Sequence, residues 1–308
     1  ELVQVPEGGE GAVEDRLGEI LGRDVVVVIG LGPAARANRK PILHALTPRG
    51  RAAAFVKVGD NAATRALIAD EAAALEHLAD RRLPGVDVPR LLHHGEWNGM
   101  TLLVLSPLPT SARGRRPRAE APVEAMRALA GLDGLARERL AGTAFWEAIR
   151  ATPGALDDPG RAGRLEAVIK EVEARHGALD LDFGAWHGDW TPWNMAWHRG
   201  VLRLWDWERF ERRVPLGFDL VHYRLQERTR RPGPSPYARR ADDAPAVLAP
   251  LGLSAAAAEA TLDLYLLALC CRYQRAGTGP RGEAVRAQAD GLLDLLAAHT
   301  AQPTGGLS

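Results

Sequence analysis

Lysine is nearly missing from this chain. Of 39 basic residues only three are lysine, Lys40, Lys57 and Lys170, so each lysine retained asks for a reason. Cysteine is scarcer still. Cys270 and Cys271 are neighbours in a helical stretch, a spacing that rules out an ordinary structural disulfide between them. With neither a disulfide framework nor a cysteine zinc site, the composition fits a reducing cytoplasm. Long apolar runs are absent too. The longest, YLLALCC at 265–271, falls far short of the roughly 20 residues that span a bilayer, so no membrane partner is expected. No secretory leader is visible, and because the sequence opens on Glu1 the native start is expected upstream. Net charge is absent as well: 39 acidic residues balance the 39 basic ones, and nothing in the totals calls for nucleic acid. Arginine is nevertheless clustered in SARGRRPRAE (111–120) and YRLQERTRRPGPSPYARR (223–240). Both runs are broken by Pro or Gly and read as solvated loops.

What is present suits one large or two modest globular domains, with 308 residues and 46% apolar composition. DVVVVIG (24–30) is a β-branched run typical of a buried strand. PILHAL (41–46) and AAAFVKVG (52–59) read as two further strands. The turn TPRG (47–50) between them is so short that they must be antiparallel. A helix follows over 60–82, with Asp60 or Asn61 as N-cap. TLLVLSPLP (101–109) is another strand ending at prolines, whereas His93–His94 reads as loop after an element end. Beyond residue 120 the patterns are mostly helical. The plan is a small β-rich part with one main helix (1–105), a connector near 104–110, and a larger, mostly helical part (106–308).

Two features of the first part are costly unless they meet. Leu67, Glu71, Leu75 and Leu78 recur at helical spacing, which puts Glu71 on an apolar stripe. Lys57 sits inside AFVKVG on a strand face shared with Phe55. A buried anion and a buried cation are each expensive alone and reasonable as a pair.

The second part contains WHGDWTPWNMAWHRGVLRLWDW (186–207), with six of the eight tryptophans of the chain. MAW, HRG and VLRLWDW read as strand, turn and strand, with residue 195 opposite 203 and 194 opposite 204. Leu202, Leu204 and Asp206 then share a face, and Asn194 and Asp206 can reach a common point. An amide oxygen and a carboxylate suit Mg²⁺. Asp189 lies five residues before Asn194 in a loop stiffened by Pro192. There it can orient a hydroxyl and accept its proton beside a metal-bound phosphate. The tryptophans read as rigid scaffold that excludes water.

Lys57 with Glu71, then HGDWTPWN, LRLWDWE and GFDL (217–220), in that order, resembles the aminoglycoside phosphotransferase/choline kinase-like family over roughly residues 20–300. The resemblance implies an α+β, two-lobed protein-kinase-like fold with a hinge near 104–110. It also implies a cytoplasmic, ATP- and Mg²⁺-dependent kinase, with GTP as an alternative donor. In its terms Asp189 is the catalytic base, Asn194 and Asp206 are the metal ligands, and Lys57 grips the nucleotide phosphates, steadied by Glu71. Gly30 and Gly32 belong to the phosphate-covering loop, although IGLGPAARANRKPIL has no complete G-x-G-x-x-G. Backbone groups near Val104–Ser106 meet adenine, and His187 and Asp219 brace the catalytic loop. The acceptor it implies is a hydroxylated small molecule, with Ser or Thr of a peptide precursor as the alternative. Asp180, Asp182, Glu208 and Glu211 are the acidic residues near the site, whereas the arginines of 223–240 would repel a polycation and suit an anionic acceptor. Two other classes compete. A nucleotide-binding protein without activity would normally lack one of Lys57, Asp189, Asn194 or Asp206. A metal phosphoesterase would need further His or Asp ligands, which His93, His94 and His222 do not assemble.

Overall fold

A computed structural model describes residues 11–30, 40–110, 121–229, 244–277 and 282–300. The chain forms two compact units, one from Glu1–Pro117 and Trp193–Phe210, the other from Arg118–Pro192 and Glu211–Ser308. The Gly32 position and the arginine-rich runs 111–120 and 230–240 fall outside the described residues.

The first unit is built on five antiparallel strands: β1 (Val26–Gly30), β2 (Ile42–Leu46), β3 (Ala52–Gly59), β5 (Leu91–Trp97) and β6 (Met100–Leu105), in the order β1-β2-β3-β6-β5. Alternating side chains such as Ala45, Val56, Leu102 and Val104 bury one face, with Leu17 of α1 (Val13–Leu21) packed into the same cluster. Each fully buried Leu or Val is worth about 1.5–3 kcal/mol. Helix α2 (Ala62–Ala79) starts at a reciprocal cap: the Asn61 side chain accepts the Thr64 amide, and the Thr64 hydroxyl accepts the Asn61 amide. Its stripe of Leu67, Glu71, Leu75 and Leu78 is buried as the spacing predicts. His93 and His94 lie within β5, paired with Val104 and Leu103. The loop expected there is corrected to a strand, because the run Leu91–Trp97 pairs with β6 through a tight Asn98–Gly99 turn with positive φ at both residues.

The tryptophan segment returns the chain to this unit as β9 (Met195–His198) and β10 (Val201–Leu204), with the short β4 (Val86–Asp87) parallel to β10. The expected register is wrong by one residue. His198 faces Val201 and Met195 faces Leu204, because the turn is the two-residue Arg199–Gly200, with φ of 51° and 81°. Positive φ at both central positions is the type I′ geometry that matches strand twist. Asn194 therefore stands opposite Trp205, whose amide donates to the Asn194 carbonyl at 3.0 Å.

The second unit holds the sheet β11 (Glu211–Pro215), β8 (Asp180–Trp186) and β7 (Ala136–Arg139), in that order. Around it lie α3 (Val123–Ala130), α4 (Ala144–Arg150), α5 (Pro159–His176), α6 (Phe218–Thr229), α7 (Ala244–Leu248), α8 (Ala255–Ala276) and α9 (Glu283–Thr300). Pro159 at the first position of α5 and Asp158 as its cap follow the usual start signals. Helix α8, capped by Ser254, is buried over most of its length. It takes Cys270 and Cys271 into the core, and burial pushes both thiols up, Cys271 to about 11. They are inert packing groups at neutral pH. No single helix among the described residues is long and apolar enough to cross a membrane.

Candidate active site

Strand β3 and helix α2 bring their two anomalous charges together. Lys57 Nζ donates to Glu71 Oε2 at 2.5 Å, and Glu71 is wholly buried, at 0% exposure. The same ammonium donates to Asp206 Oδ1, also at 2.5 Å. Burial alone would lower the Lys57 pKa, but the Asp206 and Glu71 carboxylates more than offset it and hold the group above its ordinary value. The Trp207 amide donates to the second Glu71 oxygen at 3.3 Å. Burial and the Lys57 charge lower Lys40 to about 8, and its ammonium pairs with Glu208. The Glu71, Asp206 and Glu208 carboxylates each offer an oxygen within 4.8 Å of the others. Such an oxygen-only set suits a hard cation.

Asp206 reaches this cluster by a route different from the expected one. Strand β10 stops at Leu204, and Asp206 takes a φ of +73°, the left-handed region that few non-glycine residues adopt. The turn of the backbone, and not strand alternation with Leu202 and Leu204, aims its carboxylate. Strain of this kind costs about 1–3 kcal/mol and tends to be kept where a site needs it.

In the second unit, β8 ends at Trp186 and delivers the loop HGD. Asp219, in the first turn of α6, accepts the amides of His187 (2.8 Å) and Gly188 (3.2 Å) on its two oxygens. The Asp189 amide donates to His187 Nδ1 at 3.2 Å. The loop is further held from α8, where Arg272 donates to the Gly188 carbonyl at 3.2 Å and lies over the Trp186 ring. The Asp189 carboxylate meets His222 Nε2 at 3.0 Å.

Burial drives the Asp219 carboxyl from 3.8 to about 7; the two amides pull against that shift, and the Asp189 charge adds to it. The folded chain then keeps a proton that the unfolded chain releases as pH rises from about 4 to 7. This residue's contribution to stability therefore falls across that window. A shift from 3.8 to about 7 corresponds to roughly 4 kcal/mol at most. Thermal melts at pH 4–8 should show Asp219→Asn losing this slope relative to the parent, and parallel curves would contradict the assignment.

The other expected positions are mixed. Lys57, Glu71 and Asp206 come together, and Asn194 is buried at the open end of the β9–β10 hairpin. Gly30 ends β1 opposite Ile42, where a Cβ would lie 3.3 Å from the Ile42 carbonyl. Val104 lies inside β6 with strands on both sides, and the Ser106 amide and hydroxyl are both bonded to the Arg90 main chain. The Ser106 amide is thus engaged within the fold. The tryptophans divide: Trp186, Trp190 and Trp207 are core, whereas Trp193, just after Pro192, is 40% exposed. Asp180 and Asp182 pair with Arg139 and Arg137 on the rim of β7–β8. Lys40, His222, Tyr265 and Arg272 have no role that the sequence alone assigns. Only Lys40 carries a signal, the scarcity of lysine itself.

Comparison with known proteins shows the fold and the family. No curated protein matches the chain. Among solved structures, a thermostable mutant of aminoglycoside phosphotransferase APH(4)-Ia in its apo form superposes with a TM-score of 0.62 at 15% identity, covering 94% of this chain and 100% of that one. A ternary complex of the same enzyme with ADP and hygromycin B gives 0.59 at 14% identity, over 92% and 99%. Choline kinase LicA from Streptococcus pneumoniae gives 0.55 at 15%, over 92% and 97%. At these identities the likeness establishes the fold, protein-kinase-like and α+β. A sequence model described as the phosphotransferase enzyme family matches residues 43–251, from β2 to just past α7. The match covers more than half of the chain, and the protein belongs to the phosphotransferase enzyme family.

Proposed function

We propose that the protein transfers the γ-phosphoryl group of ATP to a hydroxyl of a small molecule in a Mg²⁺-dependent reaction, with Asp189 as base. The observation that carries this reading is the Lys57 ammonium, buried and bonded at 2.5 Å to both Glu71 and Asp206. Glu71 fixes the cation, so it needs no reorganisation to meet the α- and β-phosphates, and the low-dielectric surroundings strengthen that contact. Asn194 and Asp206 would hold Mg²⁺: an amide oxygen and a carboxylate suit that ion, and Asp206 already lies in a cluster of carboxylate oxygens. When bound, the metal would neutralise charge on the transferring phosphates. Asp189, its loop fixed by Asp219 and Arg272, would orient the acceptor hydroxyl and take its proton. Its nucleotide neighbours support the donor: one structural relative carries ADP with hygromycin B, another is a choline kinase. The reading includes a cytoplasmic setting, where ATP is supplied and the buried thiols stay reduced.

The test is product analysis by phosphorus NMR after incubation with ATP, Mg²⁺ and a panel of amino sugars, sugars and amino alcohols. A new phosphomonoester that requires Mg²⁺ is the expected result. Transfer confined to Ser or Thr of peptides would replace the small-molecule acceptor, and ATP binding without turnover would replace the enzyme by a nucleotide-binding module.

A further inference from the structure

Helix α6 holds the catalytic loop twice. Asp219 and His222 are three residues apart, hence on one face of the helix. Asp219 takes the main chain of the loop through the His187 and Gly188 amides. His222 takes the carboxylate: its Nε2 lies 3.0 Å from Asp189 Oδ1, and its Nδ1 lies 2.7 Å from the Tyr265 hydroxyl on α8. The histidine is buried at 3% exposure and Tyr265 at 1%, whereas the Asp189 side chain is 36% exposed. All three residues belong to the second unit.

We propose that His222 is a positioning residue for phosphoryl transfer, orienting the Asp189 carboxylate, with Tyr265 setting the imidazole in turn. The inference rests on the reading of Asp189 as the base. An ionised carboxylate can only accept, so the proton between the two groups belongs to Nε2. In the neutral ring Nδ1 is then the acceptor, and the Tyr265 hydroxyl donates to it. A ring fixed at both nitrogens cannot flip or swing away. Asp189 sits at the tip of a loop with only its carboxylate left to orient, since Asp219 and Arg272 already fix the main chain. The hydrogen bond to a rigid, buried donor restricts rotation of that carboxylate. A general base misplaced by about 1 Å can lose of the order of 100-fold in rate, so this restriction is worth having in the transition state and not in nucleotide binding.

Steady-state turnover of ATP, with water or a hydroxylated acceptor, and the thermal shift with Mg²⁺ and ATP test this in four variants. His222→Ala should lower kcat about 10- to 100-fold with an unchanged nucleotide shift. His222→Gln, whose side-chain amide can donate from a position close to Nε2, should recover most of the loss. Tyr265→Phe removes one hydroxyl from the core and should lower kcat severalfold. It remains informative if His222→Ala fails to fold. Wild-type kcat in His222→Ala or in Tyr265→Phe would overturn the inference, as would a His222→Gln enzyme as slow as the alanine variant. Asp189→Asn is the fourth: inactive, it leaves any such failure to His222 alone, whereas wild-type turnover there would overturn the base assignment and this inference together.

Discussion

Asp189→Asn lowers phosphoryl transfer from ATP by about 10²- to 10⁴-fold, the usual share of a general base, and leaves Mg²⁺·ATP binding at the wild-type level. The reason is chemical and local. Asparagine is close to isosteric with aspartate and can still accept from His222 Nε2, which lies 3.0 Å from Asp189 Oδ1, so the loop stays in place. What disappears is the capacity to take a proton from the attacking hydroxyl. Because Lys57 and Asp206, the proposed nucleotide groups, belong to a different unit of the chain from Asp189, binding and chemistry should separate cleanly in this variant. Initial rates at saturating ATP, set beside the nucleotide-induced thermal shift, check both halves. A rate within threefold of wild type would remove Asp189 from the chemistry.

Lys57→Ala gives the largest loss of stability expected from any single change in the site, about 3–5 kcal/mol. Glu71 has 0% exposure, and without the ammonium the hydrogen bond it keeps is the 3.3 Å contact from the Trp207 amide. A buried carboxylate so poorly compensated is far costlier than the modest net gain of the ion pair itself. For a chain of this size the loss corresponds to a fall in Tm of roughly 6–20 °C. Turnover of ATP falls with it, since the phosphate contact is gone. Lys57→Met combined with Glu71→Gln separates the two consequences: the double variant should regain most of the stability, because the wholly buried charge is gone and Asp206, the other partner of Lys57, is 31% exposed, and none of the activity. Differential scanning calorimetry of the single and double variants decides the matter. Equal destabilisation in both would mean that packing, and not charge, sets the cost.

The pairing of Lys57 with Glu71 is legible in the sequence because each residue breaks a pattern. A glutamate on a leucine stripe and a lysine inside a hydrophobic strand are local conflicts, and the conflicts cancel only together. Strands β2, β3 and β6 and helix α2 are legible because their periodicities are clean and their caps and turns explicit, whereas β1, read as a buried run, leaves Val26, Val28 and Ile29 more than half exposed at the sheet edge. The β9–β10 register is not, because His198–Arg199–Gly200 reads as a three-residue turn when two residues suffice. A one-residue slip moves every side chain to the opposite face. The position of Asp206 could not follow from alternation at all, since it lies beyond the end of β10 and takes a φ of +73°. His222 is invisible for a different reason. Its partners Asp189 and Tyr265 lie 33 and 43 residues away along the chain, and no local pattern distinguishes a buried histidine at a catalytic loop from one that fills a core. The Ser106 amide likewise looks available at a strand's end, but its partner, the Arg90 carbonyl, comes from a distant stretch of chain.

The central claim is that Asp206 holds a metal that nucleotide binding requires. The measurement that tests it most directly is the thermal shift with ATP, with and without Mg²⁺, on the parent protein and on Asp206→Ala. In that variant Lys57 keeps Glu71 as its partner, so the cation stays paired. The account predicts a rise in Tm for the parent that needs both ATP and Mg²⁺ and is absent from the variant. An equal, Mg²⁺-dependent rise in Asp206→Ala would contradict it.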